Sequence, residues 1–232
     1  MGSEFGPKII YELPGGVIIT ETVINTWIIM IVLIVFSLIF TRNFKKIPKG
    51  AQNVVEMIVD LVYGLTEQVM GKNKQGFAPY VGTLFAFLIF ANLWGLIGLR
   101  PPTADVNTTF ALSIITFVMI HFFSIKSKGI KGYLKGKIEP FPLLLPLNII
   151  GDLATPISLA FRLFGNIVGG LIIMSLLYGA LAGLSMKIGL PIPIFEAGIP
   201  SIFHIYFDVF AGVLQSFIFV MLTMVFVSME MD

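Results

Sequence analysis

Cysteine is absent from all 232 residues. That excludes a disulfide framework, thiolate chemistry and iron–sulfur ligation. Charge is scarce as well. Only 12% of residues are Asp, Glu, Lys or Arg, about half the ~25% usual in soluble domains. Histidine occurs twice, at His121 and His204, far apart and without metal-ligand spacing, so no metal site is expected. No glycine-rich phosphate loop and no nucleophile–base constellation is present. The chain therefore reads as non-catalytic on its own, with no nucleotide chemistry and no cofactor. A basic n-region followed by an apolar h-region is missing from the first 25 residues, so no cleavable signal peptide is expected.

What fills the sequence instead is hydrocarbon. Apolar side chains make up 56% of it and the mean hydropathy is +0.95. The apolar runs are long and continuous rather than alternating, which points to membrane-spanning helices and not to a barrel. Residues 22–41, 77–99 and 108–125 each suffice to cross ~30 Å of hydrocarbon. Residues 147–185 exceed that need: at 1.5 Å per residue they would reach ~58 Å. Such a helix either lies partly along the interface or tilts steeply. The last span, 201–228, is also overlong. Residues 51–70 differ in kind, with Glu56, Asp60 and Glu67 on one side and Val55, Ile58, Val62, Leu65 and Val69 at helical spacing. That pattern fits a helix lying on the membrane surface. The expectation is an all-α membrane protein with five transmembrane helices and one amphipathic surface helix, the last two spans long and tilted. Residues 1–21 would form an extracytoplasmic segment and 22–232 one membrane domain, its core helices at about 147–186 and 201–229.

The cations set the orientation. Arg42, Lys45, Lys46, Lys49, Lys72 and Lys74 follow the first span or precede the second. Lys126, Lys128, Lys131, Lys135 and Lys137 follow the third, in what reads as a solvated cytoplasmic loop rather than a nucleic-acid site. The opposite ends carry only Lys8, Arg100 and Lys187. By the positive-inside rule the N-terminus is outside and the C-terminus cytoplasmic. Pro140, Pro142 and Pro146 interrupt the approach to the fourth span, and Pro191, Pro193 and Pro200 mark an outer loop.

One cation remains. Arg162 sits mid-way through the fourth apolar run. A guanidinium at membrane depth costs from ~3 to over 10 kcal/mol and cannot shed its proton. It needs a partner or water, and marks a functional site by default. Asn166 is one turn along the same face. On the last span Asp208 and Gln215, seven residues apart, also share a face. Two readings stay open: Arg162 is satisfied by Asp208 as a packing pair, or these groups line a water-accessible path. His204 reads as an interfacial histidine near the outer end. Asp152, ~15 Å from Arg162 along a helix, is either a surface group or part of a cytoplasmic access path. Asn92 in the second span and Asp105 in the loop after it are further candidate path residues.

Five blocks carry a resemblance: Ser158-Leu-Ala-Phe-Arg-Leu-Phe-Gly-Asn166, Leu214-Gln-Ser-Phe-Ile-Phe-Val-Met-Leu-Thr223, Pro102-Thr-Ala-Asp-Val-Asn-Thr-Thr109, Asn92-Leu93 and Ser124-Ile-Lys-Ser-Lys-Gly129. With them the chain, from Thr22 onward, resembles subunit a of the rotary F-type ATP synthase of bacteria. The resemblance implies a stator subunit in the inner (plasma) membrane, beside the c-subunit ring and together with the b-subunit peripheral stalk and the other subunits. It implies two offset aqueous half-channels for H+ or Na+. Arg162 matches the family's essential arginine, Gln215 its partner on the last helix, and Asn166 a position of the same motif. There are departures. Nine residues after the arginine, where many members carry an ionisable group, stands Leu171. Three past Asn92, where some carry an acid, stands Gly95. Asp208 occupies the position seven before the glutamine, so an outer half-channel would rely on it without a titratable partner on the preceding helix. The alternative, a self-contained secondary transporter or channel, would call for an internal repeat or matching broken helices, and neither occurs. A membrane-embedded enzyme would need a catalytic acid–base or metal set, which is also missing.

Overall fold

The computed structural model of the chain describes residues 6–14, 16–42, 44–139, 141–188 and 194–231. Two short strands open it, β1 (Ile9–Leu13) and β2 (Val17–Thr20), paired antiparallel. Helices follow: α1 (Glu21–Thr41), α2 (Ala51–Met70), α3 (Ala78–Leu93), α4 (Val106–Ile138), α5 (Leu145–Lys187), α6 (Ile194–His204) and α7 (Ala211–Met231). Short 3₁₀ turns flank α3, and a π-helical turn, Ile205–Phe210, joins α6 to α7. Among the described residues five stretches are long and apolar enough to cross a membrane: Glu21–Thr41, Lys72–Ile97, Val106–Ile138, Pro142–Lys187 and Gly198–Met231. The expected all-α membrane architecture is what is found, with α2 as the extra amphipathic helix over the expected residues.

The core lies where α2, α3, α5 and α7 meet. Val62, Leu84, Leu88, Leu159, Leu163, Phe219, Val220 and Met224 are buried there. Polar glue ties α4 and the turn before α3 to α7, as membrane helix pairs often require. Thr116 and Thr223 hydroxyls lie 3.2 Å apart between α4 and α7. Lys74 Nζ donates to the Ser228 carbonyl at 3.3 Å, and Glu230 accepts from Ser124 Oγ at 2.6 Å.

Three local expectations are corrected. The lysine-rich stretch after the third span is helical, not a loop. Lysine is a good helix former, and α4 runs on to Ile138 with a break at Gly129, whose φ of 69° only glycine adopts without strain. The bend is sharp. Twelve residues would separate His121 from Tyr133 by ~18 Å in a straight helix, yet Tyr133 Oη lies 3.1 Å from His121 Nδ1. Second, Pro200 sits inside α6 rather than in a loop; Pro191 and Pro193 fall outside the described residues. Third, the N-terminal segment carries a β-hairpin that no signal in the sequence had marked.

The overlong fourth span is a single helix of 43 residues, ~64 Å by its rise. Pro146 occupies its first turn, where a missing N–H costs nothing. Pro156 lies within it.

Candidate ion-path site

Arg162 and Asn166 are presented by α5. Its buried stripe, Leu159, Leu163, Ile167, Gly170 and Met174, recurs every three to four residues and faces the bundle. Arg162, Gly165 and Asn166 fall on the opposite, exposed side. The guanidinium makes no hydrogen bond or ion pair with any other described residue. It therefore does not pair with Asp208, and the packing-pair reading has no contact to stand on.

Asn166 reaches across to α7. Its Nδ2 donates to Gln215 Oε1 at 2.5 Å, and Gln215 is 2% exposed. Gln215 Nε2 is buried with no hydrogen-bond partner among the described residues. An unsatisfied buried amide donor costs about 1–3 kcal/mol, so this nitrogen is poised for a ligand or a water.

Two cavities approach this part of α5 from opposite ends. One, of about 220 Å³, runs from Gly151 past Thr155 and Ser158 to Arg162, with Phe226 of α7 as its far wall. Those α5 positions form one helical stripe about 16 Å long. Its Gly151 end is next in the chain to Asp152. The other, of about 700 Å³, lies at the hairpin end and reaches Leu171 and Ser175 on α5. Lys8, Glu21 and Arg100 stand at its rim. Arg100 donates from its Nη1 to the Gly6 carbonyl at 2.9 Å, so the N-terminal segment forms part of this wall.

Asp208 lies in the π turn. Its Oδ2 is 2.5 Å from His204 Nδ1, and His204 Nε2 is 3.1 Å from Tyr178 Oη on α5. His204 is thus a bonded member of an Asp–His–Tyr chain rather than a lone interfacial group. The i,i+4 spacing of His204 and Asp208 was the available signal for the first link. Tyr178 was missed; it follows Leu171 and Ser175 along one helical stripe, which could have been read off. Because the π turn inserts i→i+5 bonding between Asp208 and Gln215, their seven-residue spacing no longer fixes a common face. They engage α5 separately, at Tyr178 through His204 and at Asn166 directly.

The remaining candidates sit in bonded networks away from Arg162. Asn92, 2% exposed, donates to the Gly212 carbonyl at 3.0 Å and Ser216 Oγ at 2.8 Å, and accepts from Thr103 Oγ1 at 2.6 Å. It ties α3 and the 3₁₀ turn Pro102–Ala104 to α7 at Gly212 and Ser216, on either side of Gln215 in the chain. Asp105, 6% exposed, caps α4 through the Asn107 backbone N–H at 3.0 Å and accepts from Thr22 Oγ1 at 2.7 Å. Asp152 pairs with Lys137 at 2.6 Å beside the mouth of the smaller cavity. No group of three or more His, Asp or Glu suited to a metal ion occurs among the described residues.

A family model for the ATP synthase A chain matches residues 23–228. A protein of Moorella thermoacetica named ATP synthase subunit a is 38% identical, over 96% of this chain and 95% of its own. A Pelobacter propionicus protein named ATP synthase subunit a 1 is 34% identical, over 99% and 95%. One of Propionigenium modestum, named ATP synthase subunit a, sodium ion specific, is 36% identical, over 93% and 76%. Fold, blocks and coverage agree, and the chain belongs to the ATP synthase A chain family, as a multi-pass membrane subunit of an F-type ATP synthase.

Proposed function

We propose that this subunit is the stator of the membrane sector and couples ion flow to rotation of a c-subunit ring, with Arg162 facing that ring. The observation that carries the reading is a guanidinium on the exposed face of α5, with no partner among the described residues, that lines the smaller cavity, while the larger one meets the same helix further along at Val168, Leu171 and Ser175. Each c subunit would bring a carboxylate past Arg162. A fixed positive charge favours the ionised carboxylate, so the bound ion leaves into one cavity and another loads from the other. The same charge bars a cation from passing directly between cavities. Flow then requires rotation. One elementary charge moved across 100 mV is worth ~2.3 kcal/mol, and several such steps per turn supply the work of ATP synthesis. The larger cavity is the outer half-channel and the smaller the cytoplasmic one, in the inner membrane with the b-subunit stalk alongside. The transported ion is H+ or Na+. The test is Arg162→Ala in the intact complex: assembly is retained and ion-driven ATP synthesis falls to background. Synthesis near the wild-type rate in that variant would refute the reading.

A further inference from the structure

The helical segment after Gly129 presents a surface that the ion path does not use. Gly129 lies four residues beyond Ile125, the last apolar residue before the lysines. A straight helix would carry residues 130–138 away from the bilayer. The bend at Gly129 returns them to it. Tyr133 Oη lies 3.1 Å from Nδ1 of His121, a residue of the third apolar span itself. Lys137 holds the other end, 2.6 Å from Asp152 on α5 and 5.3 Å from the centre of the Tyr133 ring. Tyr133 and Lys137 are one turn apart, so they mark the side of this segment that faces the bundle.

Two other stripes are left open. Ile130, Leu134 and Ile138 recur every four residues and are 67%, 54% and 39% exposed. Lys131 and Lys135 each follow a member of that stripe, so they run beside it, about 100° round the helix. Both are exposed, as are Lys126 and Lys128 just before the bend. Glu139 is the one acid within residues 126–139, against five lysines. An apolar stripe flanked by cations, at the level where a span ends, fits the boundary between acyl chains and headgroups. Lysine stems lie along the apolar side there and lift their ammonium groups to the phosphates. We propose that residues 126–138 are an interfacial anchor whose lysines bind the headgroups of anionic phospholipids, with the Ile130–Leu134–Ile138 stripe seated among the acyl chains. An acidic protein segment would meet the lysines but gives no reason for an apolar stripe beside them. The attraction of basic groups to an anionic leaflet fades within a Debye length, ~8 Å at physiological salt. Headgroup binding is therefore salt-sensitive, whereas seating of the stripe is not. The anchor stands whether or not Arg162 faces a rotor.

The experiment uses the intact complex in phosphatidylcholine vesicles, with a nitrobenzoxadiazole label on Leu134→Cys. The chain has no other cysteine, and the same complex without that substitution is the blank. Phosphatidylglycerol and phosphatidylcholine, each carrying a nitroxide high on the acyl chain, are compared as quenchers at equal mole fraction. Both quench, because the stripe lies among acyl chains. At low salt the phosphatidylglycerol quenches about twofold more strongly or better, the excess being its enrichment around the lysines. High salt removes that excess. So does the triple variant Lys126→Gln/Lys131→Gln/Lys135→Gln, which is still quenched by both lipids. Arginine at the same three positions preserves the excess, because the charge is unchanged. Quenching by neither lipid means that water or protein, an acidic partner segment included, covers the stripe, and it overturns the anchor. Equal quenching by both lipids at low salt overturns the headgroup site. An excess that survives in the glutamine variant does the same, since the anionic lipid is then held elsewhere.

Discussion

Asn92→Ala offers the sharpest test of how this bundle is held. Three hydrogen bonds end on the Asn92 side chain, and counting them at about 1 kcal/mol each would suggest ~3 kcal/mol lost. The structure gives a different sum. The Gly212 carbonyl keeps a donor, because Ser216 Oγ also reaches it at 2.8 Å. Ser216 likewise keeps that bond. Thr103 is left with nothing: it is 0% exposed, and its hydroxyl donates only to Asn92 Oδ1 among the described residues. The dominant cost is thus one orphaned buried hydroxyl, about 1–3 kcal/mol. At roughly 2–4 °C per kcal/mol for a chain of this size, a loss near 2 kcal/mol lowers the temperature at which the subunit is lost from the solubilised complex by about 4–8 °C.

The second variant tests the reason. Thr103→Val removes the hydroxyl and keeps the shape, and by itself it strands Asn92 Oδ1. In Asn92→Ala/Thr103→Val no polar group is stranded, so the double variant is less destabilised than the two singles summed, with a coupling of about 1–2 kcal/mol. Thermal loss of the subunit, followed on gels across the four proteins, reads this directly. Strict additivity, or a shift under about 1 °C in Asn92→Ala, refutes the reasoning.

Two further outcomes are expected. A Cβ at Gly212 would meet Asn92 Cβ at 3.2 Å, while one at Gly170 would sit at an ordinary 3.5 Å from Phe207 Cβ; Gly212→Ala should therefore destabilise by about 1–2 kcal/mol and Gly170→Ala by less than about 0.5, an order that the same thermal assay reads and that a reversal would contradict. If the lysine-rich end is cytoplasmic, as the cation bias leads us to expect, Lys131→Cys should resist an impermeant thiol reagent added outside intact cells, in a chain whose lack of native cysteine makes labelling clean; ready outside labelling would invert the topology.

Spans were legible because hydrocarbon length is a linear property of sequence: 20 apolar residues cross a bilayer wherever they occur. Arg162 was legible for the same reason, as an exception to that rule. Pairings were not. Nothing local says that Asn166 meets Gln215, 49 positions on, rather than Arg162 meeting Asp208, because both pairs join the same two helices. The hairpin Ile9–Thr20 escaped because a two-residue-period signal over four or five residues is faint beside long apolar runs. The helical state of residues 126–138 escaped because a lysine-rich stretch reads as a solvated loop, and only its bend at Gly129 brings Tyr133 to His121 and Lys137 to Asp152.

The π turn links the two halves of the site. An unbroken α-helix from His204 to Gln215 would place Asp208 and Gln215 on one stripe, since seven residues are close to two turns. A carboxylate and the Asn166-bound glutamine would then compete for the same strip of α5, with Arg162 one turn away. A strong ion pair across that strip would hold the guanidinium in place and lower its availability to any passing carboxylate. In the structure the π register at Ile205–Phe210 separates Asp208 from Gln215, and Asp208 is bonded to His204, one turn before it. Gln215, a neutral amide, is left beside Asn166, and the five donors of Arg162 meet no partner among the described residues. The guanidinium remains on the exposed face of α5, as the proposed role beside a carboxylate-bearing ring requires.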